Sequence, residues 1–275
     1  MDDNQKFNLI DFEGVSDVIN NLIDKLSSGA GWIVNREPPS KIATNTYIEE
    51  IQKSNYDPLT KAALISQAKK TIKEYCNQKN IVEIAVESLQ KRTKPEKMDN
   101  DWVALFMDKA RLVSDKEFQI IWGKVLATEC NNNNSIPKSL LYILSQMDKE
   151  DGETFTTLCS LSVKVDDEYQ PIVDFRKFDE YEKWGITFDK IVSLSALGVI
   201  ETDLGPLATG YQIKGEKKPI KVQYFDLEYK MSDIKESVPV GNVIFTKSGQ
   251  ALCKAISVEK KEEFWEEYCL PFLKE

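Results

Sequence analysis

The chain has 275 residues, of which 41% are hydrophobic and 29% are charged, and this composition indicates a folded protein with one large domain or two smaller ones. Its net charge of −9 disfavours general nucleic-acid binding, because proteins that bind phosphate backbones carry a basic excess or a basic face. The absence of histidine excludes Ser-His-Asp and Cys-His catalytic pairs and imidazole zinc ligands.

The first predicted element is an amphipathic helix over about residues 15–27, which ends at "SSGAG", where glycine can supply a left-handed cap. Its polar face carries Lys25 among acidic and asparagine side chains, so packing is favoured over binding to an anionic membrane surface. Residues 42–90, broken at "NYDP", predict two long helices. Their alternation of charged and apolar residues is typical of a dimer interface or of a solvated helix face. We therefore expect residues 1–98 to be a helical region, with self-association through it.

The middle of the chain predicts a compact helical unit over residues 99–163. Asn100 is placed to cap one helix, and Ser114 opens an S-x-x-E capping box for the next. Trp122 lies on the apolar face of that second helix, where a tryptophan is typically a packing anchor rather than a platform for a ligand. "NNNNS" predicts a loop, and Asp148 is placed to cap a third helix. Short connections of this kind favour antiparallel neighbours.

Residues 164–275 mix helical and strand patterns. A helix at about 187–197 ends at Gly198 and precedes the strand-like "VIET". The segments "GYQIKG", "IKVQYFDLEYKMS" and "NVIFT" have β patterns, and Thr246 is placed to cap the helix "KSGQALCKAI". This order predicts a small winged-helix-like α+β domain. The expected fold class is mainly α, with N-terminal helices and a helical bundle before that smaller domain.

A local basic group is the candidate for binding a partner or nucleic acid, and we expect it at the tip of the wing hairpin. It consists of Lys214, Lys217, Lys218 and Lys221. Glu216 interrupts this group, and the preceding helix offers only Lys190, whereas recognition helices usually present several basic or amide side chains to the bases. DNA contact is therefore the less favoured interpretation.

Catalytic and cofactor motifs are missing from the sequence. It contains neither the G-x-x-x-x-G-K-[ST] spacing of a phosphate loop nor a G-x-G-x-x-G after a strand. Acidic clusters at residues 166–168 and 262–267 are typical of a solvated surface, and divalent cation binding by their carboxylates is the less favoured alternative. We predict no catalytic residues, no metal and no cofactor.

Cysteine usage and the N-terminus bear on the compartment. The five cysteines are widely spaced and contain no Cys-x-x-Cys pair, which is typical of reduced core residues. They are Cys76, Cys130, Cys159, Cys253 and Cys269. The start "MDDNQKFNLIDFEG" lacks the basic, apolar pattern of a secretory signal, and no run approaches the roughly 18 apolar residues of a membrane span. We expect a cytoplasmic protein without a membrane span.

Several segments carry a family resemblance, chiefly "DNDWVALFMDKARLVSDKEFQIIWGKVLATE" and "SLLYILSQMDKEDGETFTTLCSL", followed by "LSALGVIE" and "FTKSGQALCKAI". In these the chain resembles the bacterial Abi-alpha-like (abortive-infection alpha) proteins and neighbouring families of unknown function. The resemblance implies a bacterial cytoplasmic protein associated with antiviral defence, and it transfers no catalytic residue.

The expected function is that of a non-enzymatic interaction protein, acting as a sensor, regulator or scaffold with a protein partner. The alternative is a winged-helix-type DNA-binding transcriptional regulator. A third class, a carboxylate-dependent metal enzyme, would require at least three acidic groups that converge on one point.

Overall fold

A computed structural model describes residues 16–32, 41–203, 208–216, 219–231 and 236–274. The chain forms two compact units, residues 1–138 and residues 139–275. The domain boundaries predicted near residues 98 and 163 concern independent folding, which this division into units does not test, so they stay predictions.

The regular elements described in the first unit are all helical. Its elements are α1 (Ser16–Ala30), α2 (Lys41–Lys53), α3 (Pro58–Val86), a 3-10 turn (Pro95–Lys97), α4 (Asn100–Ala110) and α5 (Lys116–Asn131). Helix α1 buries an apolar stripe and packs against α4, while α3 packs against both α2 and α5. The predicted packing of the first helix is thereby confirmed, and so are the two long helices that follow it.

Aspartates begin three of these helices. The Asp57 carboxylate accepts hydrogen bonds from the first backbone N–H groups of α3. Asp99, one residue before the predicted Asn100, caps α4. The predicted capping box at Ser114 is wrong, because the Asp115 carboxylate accepts the Phe118 N–H at 3.0 Å and caps α5 instead. An ionised carboxylate is a stronger acceptor than a hydroxyl or an amide at the positive end of a helix.

The core of the first unit is aromatic, and Trp122 is part of it. The Trp122 side chain is fully buried, and its ring centroid lies 5.3 Å from that of Phe106. Phe106 in turn stacks on Trp102 at 5.1 Å. On the same helix, a Cβ added to Gly123 would lie 2.5 Å from Ile84 Cγ2, so the glycine allows α3 and α5 to approach closely. The prediction that Trp122 is a core residue is confirmed.

The asparagine loop after α5 is organised by a buried carboxylate. Glu129 accepts the backbone N–H groups of Asn134 at 2.6 Å and Ile136 at 2.9 Å. Burial raises the pKa of Glu129, although these hydrogen bonds act in the opposite direction.

The second unit mixes helices with short strands. Its helical elements are α6 (Lys138–Leu144), α7 (Lys149–Ser160), a 3-10 segment (Phe175–Trp184), α8 (Phe188–Leu197), α9 (Lys247–Ala255), α10 (Glu262–Phe264), a π-helical turn (Trp265–Cys269) and α11 (Leu270–Lys274). Its strands are β1 (Ser162–Val165), β2 (Glu168–Pro171), β3 (Ile200–Thr202), β4 (Tyr211–Lys214), β5 (Lys221–Tyr224), β6 (Leu227–Lys230), β7 (Ser237–Gly241) and β8 (Val243–Phe245). The predicted caps at Asp148 and Thr246 and the helix end at Gly198 are confirmed.

The predicted fold class, mainly α with a winged-helix-like C-terminal domain, is wrong. The protein is mixed α/β, and its described strands form small antiparallel sheets with the orders β2-β1-β5-β6, β3-β8 and β4-β7. The expected wing is a hairpin of β4 with β5 that carries the lysines at its tip, whereas β4 pairs with β7 and β5 pairs with β1 and β6. The winged-helix DNA-binding alternative depended on that hairpin.

Candidate functional site

One cavity of the second unit is a cleft of about 570 Å³. It lies among the segment that follows β2, the start of β4 and the length of β7, and Phe272 of the last helix also lines it. The lining carries the ionisable side chains Asp174, Arg176, Tyr211 and Glu236.

An ion pair forms one wall of the cleft. The Asp174 side chain is only 5% exposed, and Arg176 holds its carboxylate with Nε at 2.9 Å from Oδ1 and Nη2 at 2.7 Å from Oδ2. Burial alone would raise the pKa of Asp174, but the hydrogen bonds and the charge of Arg176 outweigh it and lower the pKa. Because 72% of the Arg176 side chain stays exposed, the pair presents an oriented guanidinium at the cleft.

The backbone around the cleft is held by polar side chains. Asn242 accepts the Phe175 N–H with Oδ1 at 3.0 Å and donates from Nδ2 to the Asp203 carbonyl at 3.2 Å. The Asp203 carboxylate accepts the N–H groups of Thr209 and Gly210, each at 3.1 Å. These bonds fix three separate segments of the lining relative to one another.

Gly241 completes the floor of the cleft. It has a φ of +85°, and a Cβ added there would lie 2.2 Å from the Val173 carbonyl oxygen. Only glycine allows this close approach of β7 to the segment after β2.

The buried thiols and the buried phenol of this unit are not activated as nucleophiles at neutral pH. Burial raises the pKa of the Cys159 and Cys269 thiols and of the Tyr181 phenol, so these groups stay protonated at neutral pH. Asp174, with its lowered pKa, stays ionised and is a poor proton donor. Within the described residues no three acidic or thiol groups converge as a metal site would require.

The predicted lysine group is divided between two sheets. Lys214 ends β4, and Lys221 begins β5, where its Nζ lies 3.7 Å from a Glu228 carboxylate oxygen. Lys217 and Lys218 lie outside the described residues. The expected wing tip is therefore wrong, while a role for these lysines in partner binding stays a prediction.

The acidic clusters take part in contacts within the unit. Asp166 accepts the Glu216 N–H at 2.9 Å, and Asp167 pairs with Lys164 at 3.3 Å. At the other cluster, the Lys183 Nζ lies 3.2 Å from Glu263. These contacts agree with the predicted surface role.

A second candidate surface lies on the α2–α3 hairpin of the first unit. From residue 58 to residue 76, α3 contains no buried residue, and its apolar residues here are half-covered or exposed. The most exposed is Leu59, at 80%, and Tyr47 and Tyr56 on the same hairpin are each at least half exposed. We call these three side chains the hairpin patch.

Sequence reasoning did not identify the cleft. Its polar residues lie in separate segments, and each alone resembles an ordinary loop residue. The pair Gly241-Asn242 between two β patterns was the available signal, because glycine followed by a loop amide often marks a tight backbone approach.

Comparisons with known proteins identify a family. A family model described as "Protein of unknown function (DUF2806)" matches residues 64–269, and the chain belongs to this family. The match gives no link to the Abi-alpha proteins in particular. No curated protein and no solved structure matches the chain. Among the described residues, no helix is both long and apolar enough to cross a bilayer.

Proposed function

We propose that this member of the DUF2806 family is a non-enzymatic interaction protein of the bacterial cytoplasm, whose second unit binds a segment of a protein partner in the cleft. The observation that carries the proposal is the cleft itself, with its fixed Arg176 guanidinium. Its volume of about 570 Å³ is within the usual range of ligand sites. Its lining is polar, which suits hydrogen bonding to a peptide better than burial of an apolar small molecule.

The Arg176 guanidinium indicates which partner segment fits. Arg176 is oriented by Asp174, and a guanidinium binds carboxylates with well-defined geometry. We therefore propose that the bound segment presents an aspartate, a glutamate or a C-terminal carboxylate to Arg176.

A capture experiment tests this proposal. The tagged protein is isolated from its native cells, and proteins that accompany it are identified by mass spectrometry. Arg176→Ala is expected to lose the partner, and Lys177→Ala, an exposed neighbour, is the matched control that should retain it. A partner retained equally by both variants would contradict binding through the cleft, provided that both variants melt as folded proteins.

Self-association through the hairpin patch is a second proposed property. Residues 58–73 of α3 contain Lys61, Lys69, Lys70 and Lys73, while α2 carries Glu49 and Glu50. In a pair of hairpins, the acidic residues of one copy can face the basic residues of the other around the hairpin patch.

Light scattering tests self-association. At tens of micromolar we expect a dimer, and Leu59→Glu should convert it into a monomer because it places a charge in the patch. Leu112→Glu changes another leucine of the same unit, 64% exposed, and should leave the dimer intact. A monomeric wild-type protein would contradict the proposal.

The association with antiviral defence rests on the resemblance to Abi-alpha-like proteins. We propose that partner binding changes during phage infection. The test is to compare captured proteins before and after infection, and to measure phage plaque formation on cells that lack the gene. Unchanged partners together with unchanged plaque formation would contradict a role in defence.

A further inference from the structure

A second cavity in the same unit brings two cysteines to one wall. It has a volume of about 310 Å³ and is lined by Cys159 and Cys253, together with Ser162 and Tyr169. Cys159 lies in the last turn of α7, and Cys253 lies on α9. The two cysteines are 3% and 7% exposed, so their contact with solvent is through this cavity.

The two thiols line the same cavity and interact electrostatically with each other. The elements that carry them are held in place. The Tyr224 hydroxyl donates to the Ser160 carbonyl at the end of α7 at 2.9 Å. On α9, the Gln250 amide accepts the Tyr169 N–H at 3.0 Å and donates to the Tyr169 carbonyl. These hydrogen bonds fix the two elements beside the cavity that both thiols line.

The other buried cysteines lack this arrangement. The Cys130 thiol contacts the Met98 thioether at 3.6 Å, and a thioether cannot form a disulfide. Cys269 is buried at the end of the π-helical turn and lines neither of these two cavities.

We propose that Cys159 and Cys253 form a reversible disulfide when a peroxide enters this cavity. One thiolate attacks hydrogen peroxide, whose O–O bond breaks, giving a sulfenic acid and hydroxide. The neighbouring thiol then attacks the sulfenic sulfur, and the S–S bond forms with release of water. In total two thiols lose two electrons and two protons, and one peroxide is reduced to two waters. In a reducing compartment, disulfides of this kind are typically transient and redox-sensing.

The surroundings predict that the oxidation is slow at neutral pH. Burial and the neighbouring thiol both raise the pKa of Cys159. Because only the thiolate reacts, the rate should rise about tenfold for each unit of pH through the neutral range. This dependence distinguishes the buried pair from an activated cysteine, whose lowered pKa leaves it already ionised at neutral pH.

Peptide mapping tests the proposal on the wild-type chain. The protein is treated with hydrogen peroxide while folded, free thiols are alkylated, and trypsin is added. Cleavage after lysine places Cys159 in peptide 150–164 and Cys253 in peptide 248–254. We expect these two peptides joined, with the loss of two hydrogens, and separated again by dithiothreitol. Free or sulfinic Cys159 and Cys253 without the joined peptide would overturn the proposal.

Two variants sharpen the test. Cys130→Ser should form the joined peptide at the wild-type rate. Cys253→Ser should stop at the sulfenic acid of Cys159, which dimedone traps. If Cys253→Ser does not fold, the wild-type map and its dependence on pH still decide the question.

Discussion

Replacement of Trp122 by alanine should destabilise the first unit through packing alone. The ring is fully buried on α5 and contacts the Phe106 ring, which stacks on Trp102. Removal of a buried tryptophan typically costs about 3–5 kcal/mol. The Trp122 Nε1 atom donates to no described residue, and removal of an unpartnered buried donor recovers part of that cost. We therefore expect Trp122→Ala to lose about 3 kcal/mol.

The substitution Trp122→Phe separates the loss of ring packing from the removal of the unpartnered Nε1 donor. Trp122→Phe keeps a ring against Phe106 and removes the unpartnered donor, so we expect a loss of about 1 kcal/mol. Ile120→Ala is the matched control on the same helix. Its side chain is 44% exposed, so the free energy of unfolding should change by less than about 0.5 kcal/mol.

Urea unfolding followed by far-ultraviolet circular dichroism measures these differences. The midpoint should fall in the order Ile120→Ala, Trp122→Phe, Trp122→Ala, with an unchanged dependence on urea. Partner binding should decline only with the folded fraction. A Trp122→Ala protein that unfolds at the wild-type midpoint but has lost its partner would refute the packing argument.

Three further predictions concern Glu129, Arg176 and Gly241. Glu129→Gln should cost about 1–3 kcal/mol, because the glutamine amide can accept only one of the two loop N–H groups. Because the pKa of Glu129 is raised, the difference in free energy of unfolding between wild type and Glu129→Gln should be complete below about pH 4.5. It should decline as the pH rises through the folded pKa of Glu129. Arg176→Ala should cost about 1–2 kcal/mol at pH 7. The lowered pKa of Asp174 stabilises the wild-type fold above about pH 3.8, and this stabilisation is lost as the pH falls through the folded pKa. Arg176→Ala should therefore lack this dependence on pH. Gly241→Ala should cost about 3 kcal/mol or more, whereas Gly185→Ala, at φ +75° with open space around it, should cost only about 1 kcal/mol.

Unfolding curves recorded across a range of pH test the first two of these predictions, and thermal melting tests the third. A gap between wild type and Glu129→Gln that widens as pH rises would contradict the argument for burial of Glu129. An Arg176→Ala protein with the wild-type acid profile would show that the ion pair does not set the pKa of Asp174. Equal losses for the two glycine variants would contradict the close approach at Gly241.

The elements that were predictable from sequence depend on local signals. Asp148 and Thr246 were identified because a capping side chain acts within one turn of its own helix, and Gly198 because a left-handed helix end needs glycine. The missed caps at Asp99 and Asp115 differ from the prediction by one residue, since neighbouring polar residues compete for the same N–H groups.

Strand pairing and the cleft depend on distant residues, which explains why they were not predicted. β4, β5 and β6 have similar alternating patterns, and nothing local to them specifies that β4 pairs with β7 while β5 pairs with β1. The cleft likewise requires Asn242 to meet Phe175 and Asp203. Asn242 gains its role only from these partners, which are far away in the sequence.

The pairing of β3 with β8 has an evolutionary consequence. Residues 203 and 242 are joined at the base of the intervening segment, with the Asp203 N–H donating to the Asn242 carbonyl at 2.9 Å. The two ends of the segment between residues 203 and 242 are thus fixed by the pairing of β3 with β8 and by this hydrogen bond. Doubling the length of a closed loop adds only about 0.6 kcal/mol of closure entropy. Longer turns beside β4 and β7 should therefore add little closure entropy, so their lengths can change while α8, β3, β8 and α9 stay in place.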